Sequence, residues 1–352
     1  MNFRKHCLTI FILGLVSASA LTAPPPRAAA LAEGLPGAGG TLWVTNRSLN
    51  NVTAFDAATG EVIATVAVGL TPIGVTAPHG TGKVYVSDEG SNQVSVISRE
   101  SLCVVATIPT GPRPHHLGQS PNGRYVYVAE FGTNKVGVID TGTDTLVAEY
   151  PTGAPAARTH AVWVTRDGQT LYVTNSVTNE IAALDALTGE PLWSLPVGNN
   201  PSEILVTPDG RTGYVSVRNE NMVKVIDLET RAITGAAFVG TMPDTLQLTN
   251  DQKTLVVALR GTPAQVAYMD TDSLTVTWVK GTGTTAGHHW LSSDSRYTFV
   301  AVEGPGSSGS VNVIDNRDLG VAGVFPYPGG GRPHGVFYEP ARSVSRGDNT
   351  NR

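Results

Sequence analysis

The chain has 352 residues, with 24 Lys and Arg against 29 Asp and Glu and a formal net charge of −5. No basic run breaks this balance, so nucleic acid is not an expected partner, because that binding needs clustered cations on phosphates. With 39 Gly, 23 Pro and apolar runs filled by Val and Thr, the composition reads as all-β.

Arg4 and Lys5 precede an apolar run from Leu8 to Val16, and Ala18-Ser19-Ala20 follows as a small-residue cleavage site. This pattern predicts a secretory signal peptide over residues 1–20, with export to the periplasm or the cell exterior and no transmembrane segment in the mature chain. Residues 21–40 are rich in Pro, Ala and Gly and are expected to be disordered. The polar tail at 341–352 is expected to be loose.

Between residues 41 and 340 one strand pattern recurs seven times. Its members are Leu42-Trp43-Val44-Thr45-Asn46, Val84-Tyr85-Val86-Ser87-Asp88, Val126-Tyr127-Val128-Ala129-Glu130, Leu171-Tyr172-Val173-Thr174-Asn175, Gly213-Tyr214-Val215-Ser216-Val217, Leu255-Val256-Val257-Ala258-Leu259 and Thr298-Phe299-Val300-Ala301-Val302. Their starts step by 42, 42, 45, 42, 42 and 43 residues. A period in this range, with several short strands per unit, is the signature of a β-propeller. The unit at 114–153 divides into four antiparallel strands, which make one blade. The third strand ends in Asp in six of seven units, at Asp56, Asp140, Asp185, Asp227, Asp270 and Asp315. That Asp is expected to bond its own backbone and set the next turn, not to bind calcium. Cys103 reads as a buried small residue and the tryptophans as packing between blades, with Trp290 placed to wall a pocket. Because the repeat begins on a second strand and ends on a first, the segment Gly335–Glu339 is expected to complete the blade begun by residues 41–69, closing the ring.

These repeats resemble the YVTN family of seven-bladed propellers, found in bacterial and archaeal extracytoplasmic and surface-layer proteins. The resemblance covers about residues 41–340. It implies that the connections from fourth to first strand and the loops from second to third strand share one face.

Counting back twelve residues from the second residue of each recurring strand gives Ile73, His115, His160, Ser202, Asp244, Gly287 and, from the closing segment, His334. The next column reads Gly74, His116, Ala161, Glu203, Thr245, His288 and Gly335, with His289 one further on. Six of the eight histidines thus fall at one place in the repeat. Arg113, Arg158 and Arg332 precede three of them in the form Arg-x-His, and Asp88, Glu89, Glu130, Arg218, Arg260 and Glu303 are expected at the same mouth. Imidazoles suit Zn, Cu, Ni and Fe, so His115, His160, His334 and His288 are candidate ligands of a transition metal, Cu or Zn. Arg113, Arg158, Arg332, His116 and His289 are candidates for holding a small anionic ligand. The histidines could instead simply fill the mouth and bond backbone carbonyls. In an extended strand His115 and His116 would point to opposite faces, as would His288 and His289.

Three functions fit. The favoured one is an exported, monomeric binding module for a small anionic ligand, with or without a metal. The second is a metal-dependent enzyme. Lactonases and the streptogramin-opening lyase are similar propellers that work at this face; the resemblance implies His115, His160 or His334 as base or ligand and Glu130 or Glu303 as acidic partner. The third is a surface scaffold for a protein partner.

Overall fold

The computed structural model describes residues 34–155, 157–280, 283–304 and 308–341. Seven four-stranded antiparallel sheets surround an axis. Blade 1 consists of residues 40–67 closed by Pro333–Pro340, and blades 2 to 7 span residues 72–109, 114–151, 159–196, 201–238, 243–280 and 285–326. The seven first strands touch one another in a closed ring around the channel. Ring closure is as the repeat phase requires: Pro333–Pro340 pairs antiparallel with Gly40–Asn46, so the two ends of the propeller share one sheet. No helix among the described residues is long and apolar enough to cross a membrane.

The strand pattern dictates where the core lies. Second and third strands are apolar on both faces and almost wholly buried, whereas the outermost strands alternate, as in Cys103–Pro109. The apolar clusters therefore form between blades. Tyr127, Ala129 and Val136 of blade 3 meet Leu171, Val173 and Leu184 of blade 4 in one of them. The third-strand Asp residues do set turns: Asp56 Oδ1 accepts the N–H groups of Ala58 and Thr59, and Asp185 Oδ1 those of Leu187 and Thr188.

Three expectations need correction or limits. The segment 1–20, residues 21–33 and the tail from 342 lie outside the described residues. Residues 34–40, expected to be disordered, are ordered: Leu35 and Ala38 fill the gap between blades 1 and 7 beside Phe55, Tyr297 and Phe325. Cys103 is half-buried and Trp278 is 46% exposed, because both lie on outermost strands.

One irregularity repeats in every blade. Each first strand carries one extra residue relative to its partner: between Pro72 and Val75, Pro114 and Leu117, Thr159 and Ala161, Pro201 and Ile204, Pro243 and Leu246, Ala286 and His289, and in the closing strand opposite Val44 and Asn46. These are β-bulges, which kink a strand and re-aim its side chains. The bulged residues are those of the two repeat columns that hold the histidines. Glycine in the second column has a steric reason: a Cβ on Gly74 would lie 2.7 Å from the His115 carbonyl oxygen, and one on Gly335 would lie 2.1 Å from that of Ile73.

Candidate metal centre

The bulges collect five imidazoles into a continuous chain across the channel. Ring centroids lie 4.4 Å apart for His160 and His115, 5.0 Å for His115 and His116, 4.5 Å for His116 and His288, and 4.5 Å for His288 and His334. His115 and His116 stack with an interplanar angle of 4°. The expectation that they point to opposite faces fails, because it assumes a regular strand and both residues lie in the bulge.

Three of these rings offer a common centre. His115, His116 and His160 each present a ligating nitrogen, and the three atoms lie within 4.8 Å of one another. A zinc–imidazole bond is about 2.0–2.1 Å. A point centred among three atoms 4.8 Å apart lies roughly 2.8 Å from each, so an inward shift of about 0.7 Å per ring would bring all three nitrogens to bonding distance. His116, expected as an anion contact, thus takes the place expected for His334. The His334 Nδ1 instead accepts a hydrogen bond from Arg260 Nη1 at 3.1 Å, which leaves the proton of the neutral ring on Nε2.

The protonation states suit ligation, which needs neutral imidazole. Burial, followed by the neighbouring imidazoles His160, His116 and His288 and the Arg218 cation, holds His115 well below the ordinary imidazole value. His160, His288 and His334 are likewise depressed by burial first, and burial brings His116 and His289 down to about 4. The Nδ1–H of His160 donates to the Ser202 carbonyl at 2.8 Å, which leaves its Nε2 lone pair free. Among the described residues, three buried imidazole nitrogens of this chain of rings have no hydrogen-bond partner: Nδ1 of His115 and Nε2 of His116 and His288. Buried polar atoms are normally satisfied, so such a concentration marks the channel as a candidate ligand site.

Asp244 is the anion of this channel. It is fully buried, ion-paired with Arg218, 3.6 Å from Arg260 and hydrogen-bonded by Ser202 Oγ at 2.5 Å. Burial alone would raise its carboxyl, but the two guanidinium groups outweigh that and hold it well below the ordinary value. Glu203, from the neighbouring bulge, goes the other way: burial lifts it to about 8 despite the Leu246 N–H donated to it at 2.6 Å. Glu203 lies 3.8 Å from His116 Nδ1. With His116, His288, His289, Thr245 and Trp290 it lines a small cavity of about 50 Å³.

Around the mouth, Glu89 receives Arg113 at 2.5 and 2.9 Å, and Glu303 receives Arg332 at 2.8 Å and Arg260 at 3.4 Å. Arg158 makes no ion pair among the described residues and rests against the Phe131 ring at 5.8 Å. Phe131 also touches His115 and His160, with centroids at 5.5 and 5.6 Å, and roofs the triad. Glu130 is not directed at the histidines. It is buried, accepts Gly111 N–H at 3.0 Å and Thr133 Oγ1–H at 3.1 Å, and ties two loops together. Phe131 carries no sequence signal of its own. Asp244 and Glu203 do, since they occupy the same columns as the histidines.

Seven four-stranded blades around a histidine-lined channel define a seven-bladed β-propeller with a candidate ligand site at one mouth. The chain belongs to the lactonase, seven-bladed β-propeller family, whose model matches residues 104–280, half of its length. Comparison with curated proteins gives no match. Among solved structures it is similar to hydrazine synthase from Kuenenia stuttgartiensis (TM-score 0.68, 21% identity, covering 86% of this chain and 99% of that one). It is also similar to a candidate 6-phosphogluconolactonase from Bacteroides uniformis (TM-score 0.71, 15% identity, 86% and 100% covered). A protein of unknown function from Desulfotomaculum acetoxidans is a further likeness (TM-score 0.72, 15% identity, 86% and 100% covered). At these identities the likeness shows the fold alone.

Proposed function

We propose that this propeller is an exported binding protein that holds one transition metal ion, Cu or Zn, on His115, His116 and His160 and receives a small anionic ligand beside it. The observation that carries this reading is the convergence of three imidazoles in the channel, two of which, His115 and His116, have a buried ring nitrogen with no hydrogen-bond partner. Three imidazoles leave an open position on a four-coordinate ion, where a ligand or water would bind. Six arginines at the mouth and in the channel (47, 113, 158, 218, 260 and 332) outnumber the three acids Glu89, Asp244 and Glu303 that pair with them, which favours an anion. Export rests on the Arg4-Lys5, Leu8–Val16 and Ala18-Ser19-Ala20 pattern. Titration of the metal-free protein with Zn(II) or Cu(II) tests the reading. Saturation near one ion per chain is expected, and no binding above that of a histidine-free surface would overturn it.

A second reading, lactone hydrolysis, is favoured by the family match. Water would add to the acyl carbon, the ring C–O bond would break, and a proton would pass to the departing alkoxide. His160, with Nδ1 fixed by the Ser202 carbonyl, has its Nε2 lone pair available as a general base. Where a metal occupied that nitrogen instead, it would replace the base by lowering the pKa of its bound water, and would polarise the acyl oxygen. Assay against a panel of lactones, with His160→Ala as control, separates this reading from pure binding.

A further inference from the structure

The hydroxyl at the fourth position of the recurring strand links neighbouring blades. In blade 2, Ser87 Oγ accepts the bulge N–H of Gly74 at 2.8 Å and donates to the His115 carbonyl of blade 3. In blade 4, Thr174 Oγ1 accepts the Ala161 N–H at 3.1 Å and donates to the Ser202 carbonyl of blade 5 at 2.7 Å. Thr45 does the same between Gly335 and Ile73, at 2.7 and 3.0 Å, and Ser216 between Glu203 and Asp244, at 3.0 and 2.6 Å. One hydroxyl thus fixes two bulges, one on each side of a blade junction.

Two of these clasps touch the metal centre. The carbonyl held by Ser87 belongs to His115 itself. The Ser202 carbonyl held by Thr174 also takes the Nδ1–H of His160, so Thr174 fixes both the backbone beside His160 and the acceptor that selects its tautomer. Partners of this kind orient metal ligands and set which nitrogen carries the lone pair. The clasp at Thr45 is chemically the same but joins two bulges, at His334-Gly335 and Ile73-Gly74, that supply no member of the triad.

We infer that Ser87 and Thr174 are positioning residues of the His115–His116–His160 centre, acting through the bulge backbone. This rests on the metal reading proposed above. The test compares Zn(II) affinity, measured by competition with a chromophoric chelator, in the wild type and in Thr174→Val, Thr174→Ser, Ser87→Ala and Thr45→Val, with thermal unfolding recorded for each. Thr174→Val and Ser87→Ala are expected to weaken zinc binding by about 10–100-fold, the usual cost of losing an orienting partner. Thr174→Ser restores the hydroxyl and the affinity. Thr45→Val loses an equivalent clasp, with a comparable drop in unfolding temperature, and keeps wild-type affinity. Equal affinities in the wild type, Thr174→Val and Thr45→Val would overturn the positioning role while leaving the metal site standing. A wild type that binds no zinc would overturn the metal reading, and this inference with it.

Discussion

His115 and His116, neighbours in sequence, stack face to face with centroids 5.0 Å apart. A regular strand forbids this, because successive side chains alternate faces. The bulge between Pro114 and Leu117 allows it, and the same bulge in each first strand turns two repeat columns into the lining of the channel. The candidate metal centre is therefore a product of backbone irregularity as much as of residue choice.

Asp244 is held by Arg218 and Arg260 with almost no solvent contact. Asp244→Asn would leave two guanidinium groups without their shared anion. A loss of about 3–5 kcal/mol in unfolding free energy is expected, since removing one partner of a buried ion pair leaves uncompensated charge. Urea titration at pH 7 measures it, and a change under 1 kcal/mol would contradict the pairing.

In the metal-free protein, buried histidines and Glu203 should pull stability in opposite directions with pH. His116 and His289 titrate near 4 when folded and near the ordinary 6.5 when unfolded. Their contribution is present above pH 6.5 and is lost as pH falls through about 4. Glu203 titrates near 8 when folded against an ordinary 4.5, so its contribution is present below pH 4.5 and is lost as pH rises through about 8. Urea midpoints are expected to rise from pH 4 to 6.5 and to decline from 6.5 to 8. Glu203→Gln should remove the decline and keep the rise. A flat wild-type profile from pH 4 to 6.5 would show that the imidazoles are not buried in the neutral state.

Arg158 and Arg113 occupy equivalent motifs, yet only Arg113 is tied to a carboxylate. Arg158→Ala should weaken binding of a small anion such as phosphate by about tenfold, roughly 1.4 kcal/mol. Arg113→Ala should have a smaller effect, and metal content should be unchanged in both. Calorimetric titration of the metal-loaded protein distinguishes them, and equal losses would contradict the assignment.

Glu130→Gln checks the reassignment of that residue as a loop tie. Gly111 N–H donates to Oε1 and Thr133 Oγ1–H to Oε2, so the amide oxygen keeps the first bond and the amide NH2 would have to donate to the Thr133 hydroxyl in place of the second. Stability should fall by about 1 kcal/mol with metal and anion affinity unaffected. A tenfold loss of either affinity would return Glu130 to the site.

The ring of seven blades and its closure were legible because a 42-residue step leaves the strand pattern in phase along the whole repeat. So were the columns that hold His115, His116, His160, His288 and His334. The candidate ligand set was only partly legible. An extra residue in a strand leaves no mark on composition or alternation, so the side chosen by His116 depended on pairing register and not on its neighbours in sequence. His334 shared the column of His115 and His160, but lies in blade 1, where Arg260 occupies its Nδ1. Phe131 sat in a loop with no periodicity, and the Thr of the recurring strand looked like a β-former when it also clasps the next blade.

Elemental analysis of the exported protein, purified without a histidine tag beside a His115→Ala/His116→Ala/His160→Ala variant, tests the central claim most directly. The account predicts close to one Cu or Zn per wild-type chain and none in the variant, with both proteins folded by circular dichroism. Equal metal in the two, or none in the wild type after reconstitution with either ion, would contradict it.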